Sequence, residues 1–297
     1  MTIHILTDSS HYLPPATVAE LNLHVLPLSL NVGGRQYQER LEVTTEDLFE
    51  MLTDQSVDWP TTSAVTPGAV QAAFDELTAN PEDEVVGVFM SRGTSATVEV
   101  ALNVAQSHPA HDRIHVVDSL AISAPLALTL QIVGRLVKEG TDARRAGLLP
   151  AAVADVARRV GEQMRVFFTL DTLEYLHRGG RMRNSQALLG SLLSIKPVLW
   201  LNEGRIELWK RARGKRRAFR IIVEEAVDAM PPGEPVYAII GDTRAPEDKA
   251  ALKQALQENL PVAEIYDVEI GPVVAAHVGP GCVTIAVVPV SATRPVE

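Results

Sequence analysis

Apolar residues along this chain fall into short runs separated by stretches with helical spacing. Ile3 to Leu6 is a β-prone run that ends at Thr7-Asp8-Ser9-Ser10, and Val25 to Val32 is a second, with Gly33-Gly34 as the turn behind it. Glu84 to Met90 is apolar after its first residue, the composition of a strand buried on both faces of a parallel sheet. Ile114 to Val117 is another strand and closes on Asp118-Ser119. Helical patterns lie between and after these runs. Thr44 to Thr53 has a threonine to cap it and Glu46 and Asp47 to suit its first turn. Pro67 to Ala79 opens on a proline fitted to the first helical position. Ser95 to Ser107 follows, and Leu120 to Val137 is a long apolar helix. Strand, turn and helix in this recurring order predict an α/β lobe with a doubly wound, mostly parallel sheet.

The second half has a different rhythm. Thr141 to Glu162 is helical and leads into the strand Arg165 to Leu170, which sets a lobe boundary near residue 160. Ile195 to Leu201 and Arg205 to Lys210 flank Asn202-Glu203-Gly204, a hairpin turn. Arg213 to Met230 is a helix stopped by Pro231-Pro232-Gly233. Val236 to Ile240, Val262 to Val268 and Cys282 to Val288 are strands with helical stretches between them. The expected architecture is two lobes, 1–160 and 161–297, the second a mixed sheet with helices.

Composition narrows the function more than the fold. The net charge of −10 argues against a groove that tracks nucleic acid. Cys282 is the one cysteine, so no internal disulfide forms; with no apolar signal-like segment in the opening residues, a cytoplasmic setting is expected. The longest apolar-rich run, Leu120 to Val137, is broken by Ser123, Pro125, Thr129, Gln131 and Arg135, and so reads as a buried helix.

Small hydroxylated residues recur just after the strands of the first lobe: Thr7 and Ser9-Ser10, Thr62-Ser63, then Ser91, Thr94, Ser95 and Thr97, and Ser119. Capping of the next helix is the ordinary explanation for any one of them. Together they sit where open parallel sheets bind ligands, outside the carboxyl ends of the strands. Helix N-termini there would also suit an anionic head.

Several motifs, in order, carry a resemblance. Thr62-Ser63-Ala64-Val65-Thr66 after Pro60 resembles the Thr-Ser-Gln-Pro-Ser motif of the DegV family of fatty-acid-binding proteins. Ser91-Arg92-Gly93-Thr94-Ser95-Ala96-Thr97 resembles that family's Ser-Ser-x-Leu-Ser-Gly-Thr segment, and Val117-Asp118-Ser119 its strand-end Asp-Ser. The stretches from Leu170 to Arg181 and from Leu189 to Leu199 are similar to the family's pattern, as are Ile270-Gly271-Pro272 and Ala276 to Gly281. The resemblance covers almost the whole chain.

The resemblance implies a long-chain fatty acid with its carboxyl group at the lobe junction and its acyl chain in an apolar tunnel largely of the second lobe. Its head-group residues map onto Thr62, Ser95 and His277; Ser63, Ser9, Arg92, Thr97 and Ser119 are further candidates. Neutral donors would orient a carboxyl without masking it as a bidentate arginine would. No cofactor, metal or catalytic residue is implied. The implied partner is a separate fatty acid kinase that phosphorylates the bound acid with ATP. The chain departs from the pattern at Ala64, Val65, Arg92, Thr94 and Ala96; Arg92 would either pair with the carboxylate or point to solvent.

Arg205, Lys210, Arg211, Arg213, Lys215, Arg216, Arg217 and Arg220 make a basic segment in an acidic protein, with Arg178, Arg181 and Arg183 nearby in sequence. Such a segment is usually a solvated face. It could instead dock the kinase, through Arg213, Arg216 and Arg217, or touch an anionic bilayer in passing. His108, His111 and His115 have a loose metal-like spacing across a loop, too irregular for a rigid site. Asp8, Ser9, Asp118, Ser119 and His277 supply the residue types of a hydrolase triad, which keeps a Ser/His hydrolase or a small-molecule kinase subunit as the alternative. No Gly-x-Ser-x-Gly elbow and no phosphate-loop signature accompanies them.

Overall fold

The computed structural model describes residues 1–54, 56–142, 149–182 and 195–295. The expected α/β architecture is present, built on three sheets. The first has four parallel strands in the order β2 (Leu23–Leu26), β1 (Ile3–Asp8), β6 (Glu84–Phe89) and β7 (Ile114–Asp118). Its order reverses between β1 and β6, the kind of switch point outside which open sheets bind ligands. Asp8 stitches that point together. One of its carboxylate oxygens takes the Met90 amide at 2.8 Å, and the other takes the Ser10 amide at 3.0 Å.

The run from Val25 to Val32 is two strands, not one. Pro27 lacks the N–H a ladder needs, so β2 ends at Leu26 and the chain turns into β3 (Ser29–Val32) of a separate antiparallel sheet. The Leu28 amide donates instead to Ser9 Oγ at 3.0 Å. This small sheet has the order β4 (Arg35–Gln38), β3, β5 (Thr61–Ser63), and its register sets Thr62 opposite the buried Leu30.

The six-stranded sheet runs β10 (Arg205–Arg213), β9 (Ile195–Asn202), β8 (Arg165–Thr169), β13 (Val283–Pro289), β11 (Val236–Asp242), β12 (Val262–Glu269). Only the β11–β12 pair is parallel, so the sheet is mixed. Glu203 and Gly204, both at positive φ, form the two-residue hairpin loop between β9 and β10. Alternation along β8 sends Phe167 to one face and Phe168 to the other. Phe167 joins the core under α8 (Lys215–Asp228) and α9 (Pro246–Asn259), while Phe168 joins a core continuous with the first sheet.

Two helices bridge the sheets. Helix α5 (Ala124–Asp142) packs against the Ser9–His11 turn on one side and β11 and β13 on the other. Helix α6 (Pro150–Gln163) packs against β6, β7 and β13. The expected helix from Thr141 to Glu162 is therefore the end of α5 and a new helix opening on Pro150, with residues 143–148 outside the described residues. The expected helix start at Leu120 moves to Ala124, because Leu120 and Ser123 hold φ of 53° and 64°, incompatible with a right-handed helix. Among the described residues no helix is long and apolar enough to cross a membrane.

Candidate functional site

A cavity opens where the three sheets meet. It is narrow, with a cavity volume of about 80 Å³. Its polar lining includes Thr62 and Ser63 of β5, Ser95 from the connection after β6, and His277 of α10 (Pro272–Val278). Its apolar lining includes Val166 and Phe168 of β8, Leu201 of β9, Ile206 of β10 and Val273 and Val274 of α10.

The first sheet and the small sheet hold Thr62 and Ser95, and the second half of the chain supplies His277. Thr62 Oγ1 lies 2.9 Å from His277 Nε2. Ser95 Oγ is 3.0 Å from Thr97 Oγ1 and accepts the Thr97 amide at 3.2 Å, a local turn just ahead of α4 (Thr97–Ser107), and Ser95 lines the cavity. The N-cap position of α4 is Ala96, whose side chain has no polar group to cap with. Thr97 itself is buried beneath Ser95 and does not line the cavity.

Helix α10 is held from the first half of the chain. Glu39 Oε1 accepts the Val273 amide at 2.9 Å and the Tyr12 hydroxyl at 2.7 Å, and the Tyr12 oxygen accepts the Val274 amide at 3.1 Å. Two orphan donors at the start of α10 are satisfied in this way. On the far side, α10 packs on α7 (Glu174–Arg178). Gly179 makes that approach possible: a Cβ there would stand 2.2 Å from His277 Nδ1.

The His277 side chain is half-buried, and the Arg181 guanidinium acts on its charge. Burial first, and then the Arg181 charge, depress the pKa of His277 to about 4, so it is neutral at ordinary pH. Its Nδ1 is buried without a hydrogen-bond partner among the described residues. Arg181 also lines the cavity; it donates to the Gly179 carbonyl at 2.6 Å, and no carboxylate among the described residues pairs with it. Sequence reasoning missed Arg181 as a site residue by grouping it with the basic segment. The clue was its place at the end of the Leu170–Arg181 stretch, next to two glycines. Ser123, a buried serine just ahead of α5, also lines the cavity.

The other candidates sit elsewhere. Arg92 is 53% exposed and pairs with Asp118 at 2.7 Å, away from the cavity lining. Ser63 lines the mouth and accepts a bond from Asn31 at 3.2 Å. Ser9 is buried against Glu39, behind α10. Ser119 makes a turn, accepting the Ala121 amide at 3.2 Å. The residue types of a triad are therefore dispersed. The Thr62–His277 pair has the contact of a nucleophile and base, but no carboxylate orients Nδ1. An imidazole near pKa 4 is also a weak base at neutral pH. His108 is bonded to Asp75 at 3.0 Å and His115 to Glu84 at 3.1 Å, on different partners. Among the described residues no metal-holding cluster occurs.

In the basic segment, Lys215 is paired with Asp171 and Asp248, and Lys210 with Glu225. Arg213, Arg216 and Arg217 are exposed, and none of them forms an ion pair among the described residues. Arg216 and Arg217 lie in the first turn of α8, where the helix dipole disfavours cations. The Leu189-to-Leu199 motif lies partly, and Arg183 wholly, outside the described residues.

The fold is thus an α/β protein in which both halves of the chain line one cavity that combines apolar walls with hydroxyl groups. The comparisons give the family. The model for the DegV family, described as an uncharacterised protein family, matches residues 2–290. The chain belongs to that family. A DegV domain-containing protein of Deinococcus radiodurans is 32% identical over 293 residues, covering 98% of this chain and all of the relative. One of Streptomyces coelicolor is 30% identical, covering 96% and 98%. A solved DegV family protein of Thermus thermophilus, described by its fatty acid binding, superposes with a TM-score of 0.88 at 33% identity, over 98% of this chain and 100% of that one. DegV of Bacillus subtilis, described as a fatty acid binding protein, gives 0.82 at 26% identity, over 97% and 99%.

Proposed function

We propose that this protein binds one long-chain fatty acid, with the carboxyl group at Thr62, Ser95 and His277 and the acyl chain along the apolar cavity, and that it presents the acid to a separate ATP-dependent kinase. The observation that carries the reading is the contact of Thr62 with His277 on the wall of a cavity that is lined in large part by apolar side chains. Relatives described as binding fatty acid share the fold at 33% and 26% identity.

The chemistry follows from the groups present. In the tautomer of neutral His277 that carries its proton on Nε2, the ring donates to Thr62 Oγ1. The Thr62 hydroxyl is then free to donate to a carboxylate, with Ser95 as a second donor. Arg181 adds a single positive charge near the head, without a second cation to mask the carboxylate. Burying the tail supplies the affinity, at about 0.8 kcal/mol per methylene, against about 1 kcal/mol for each hydroxyl contact. The two lobes, 1–160 and 161–297, meet at the carboxyl, and Arg213, Arg216 and Arg217 form the docking face for the kinase.

Transfer would take the γ-phosphoryl group of ATP onto a carboxylate oxygen, giving an acyl phosphate and ADP. The test is reconstitution with a fatty acid kinase and labelled palmitate, trapping the acyl phosphate with hydroxylamine. Product should form only when protein, kinase and ATP are all present. Product without the kinase would make this chain an enzyme and sink the carrier reading.

A further inference from the structure

Ser123 is the one cavity-lining serine whose hydroxyl is buried with no hydrogen-bond partner among the described residues. It is 4% exposed. An unsatisfied buried hydroxyl is costly, and native proteins keep few of them. Helix capping does not account for it. An N-cap side chain accepts from the second or third helical amide. The second residue of α5 is Pro125, which has no N–H, and the Ser123 hydroxyl does not bond Leu126 either. Its backbone is also wrong for a cap, with φ at +64° instead of an extended value. Left-handed backbone in a serine is strain, and strain persists where the surroundings hold it in place.

The surroundings do hold it. A Cβ on Gly241 of β11 would stand 3.1 Å from the Ala124 Cβ and 3.2 Å from the Thr284 Cγ2, so the first turn of α5 is seated on the six-stranded sheet. Ile122, Ser123 and Pro125 form one stretch of cavity wall there, with Thr284 and Cys282 beside them. The amides of Ala124 and Leu126 have no carbonyl to meet within a helix that begins at Ala124. The positive end of a 19-residue helix stands at the same point. The wall therefore carries an electron-poor polar spot on elements other than β5 and α10, with no bond to Thr62, Ser95 or His277.

We propose that Ser123 is a specificity-determining contact for an oxygen substituent on the acyl chain, so that the preferred ligand class includes hydroxylated fatty acids. Rotation about one bond carries the Ser123 hydroxyl among its three staggered positions, and an oxygen on the tail satisfies it. A purely methylene tail leaves it orphaned. This inference rests on the fatty-acid reading above and adds a second polar point to it.

The experiment compares stearate with a set of monohydroxystearates carrying the hydroxyl at successive mid-chain carbons. Dissociation constants are measured for the wild type, Ser123→Ala and Ser123→Gly, the glycine variant removing the hydroxyl and relieving the left-handed backbone together. The wild type should bind at least one hydroxy isomer about fivefold more tightly than stearate, the worth of one ordinary hydrogen bond. Both variants should lose that preference while their stearate affinity stays within about twofold of wild type. No favoured isomer in the wild type, or a preference that survives in both variants, overturns the proposal. An equal loss of stearate and hydroxystearate in both variants also overturns it, by placing the carboxylate at Ser123. Failure of the wild type to bind any acid, stearate included, overturns the fatty-acid reading itself.

Discussion

Thr62 Oγ1 stands 2.9 Å from His277 Nε2, although 215 residues separate them in sequence and they belong to different halves of the fold. The contact joins the two halves of the chain on the cavity wall, beside the bonds that Glu39 and Tyr12 make to α10. Thr62→Val should leave Nε2 of His277 unpaired and lower stability by about 1–3 kcal/mol. It should weaken palmitate binding about fivefold, and Ser95→Ala should do the same, since each removes one hydroxyl contact. Calorimetric titration and thermal melts check this. Unchanged affinity in both variants would place the carboxyl elsewhere.

Acid should loosen the structure through its histidines. Burial and the Arg181 charge lower the His277 pKa to about 4 from an unfolded value of 6.5. Its contribution to stability is therefore whole above pH 6.5 and is lost as pH falls toward about 4. Each tenfold change in proton affinity is worth about 1.4 kcal/mol, so the loss is roughly 3 kcal/mol. His11, depressed to about 3 by burial and then by Arg40, acts in the same direction. Burial raises Asp8 and Glu39, which favour the fold below their unfolded values and lose that contribution as pH rises through the folded ones. Comparing His277→Gln with wild type isolates the histidine. Urea melts from pH 7 to pH 4 should show the variant losing roughly 3 kcal/mol less than wild type. Parallel curves would mean that His277 titrates normally.

Arg216 and Arg217 work against the dipole of α8 by about 0.3–1 kcal/mol each. Their reversal to glutamate should stabilise the isolated protein slightly and leave bound lipid unchanged. If these residues and Arg213 dock the kinase, reversal of all three should cut kinase-dependent acyl-phosphate formation at least tenfold, roughly 1.4 kcal/mol of docking energy. Full acyl-phosphate formation with the reversed protein would move the docking face elsewhere.

Much of the architecture was legible because period and punctuation agreed. Glu84 to Met90 and Ile114 to Val117 read as parallel strands, and Glu203-Gly204 as a hairpin turn, from local sequence alone. The small antiparallel sheet was not legible. Arg35–Gln38 is a polar strand and Thr61–Ser63 is three residues long, so neither carries an apolar period. That sheet holds Thr62, which the hydroxyl pattern grouped with many others and the family resemblance singled out as a head-group residue. Ser123 reads as a helix interior until backbone geometry shows the helix starting one residue later. Arg181 was hidden by its neighbours' charge, because sequence cannot tell a solvated arginine from one turned toward a cavity. Glu39 and Tyr12 cap a helix more than two hundred residues away, a relation with no local signature.

The central claim is that one fatty acid sits in this cavity with its carboxyl at Thr62 and Ser95. Native mass spectrometry of freshly purified protein, followed by denaturation and lipid identification, tests it most directly. The account predicts a single stoichiometric fatty acid that is lost or weakened in a Thr62→Ala plus Ser95→Ala variant. A protein that comes out empty and refuses added fatty acids would contradict it.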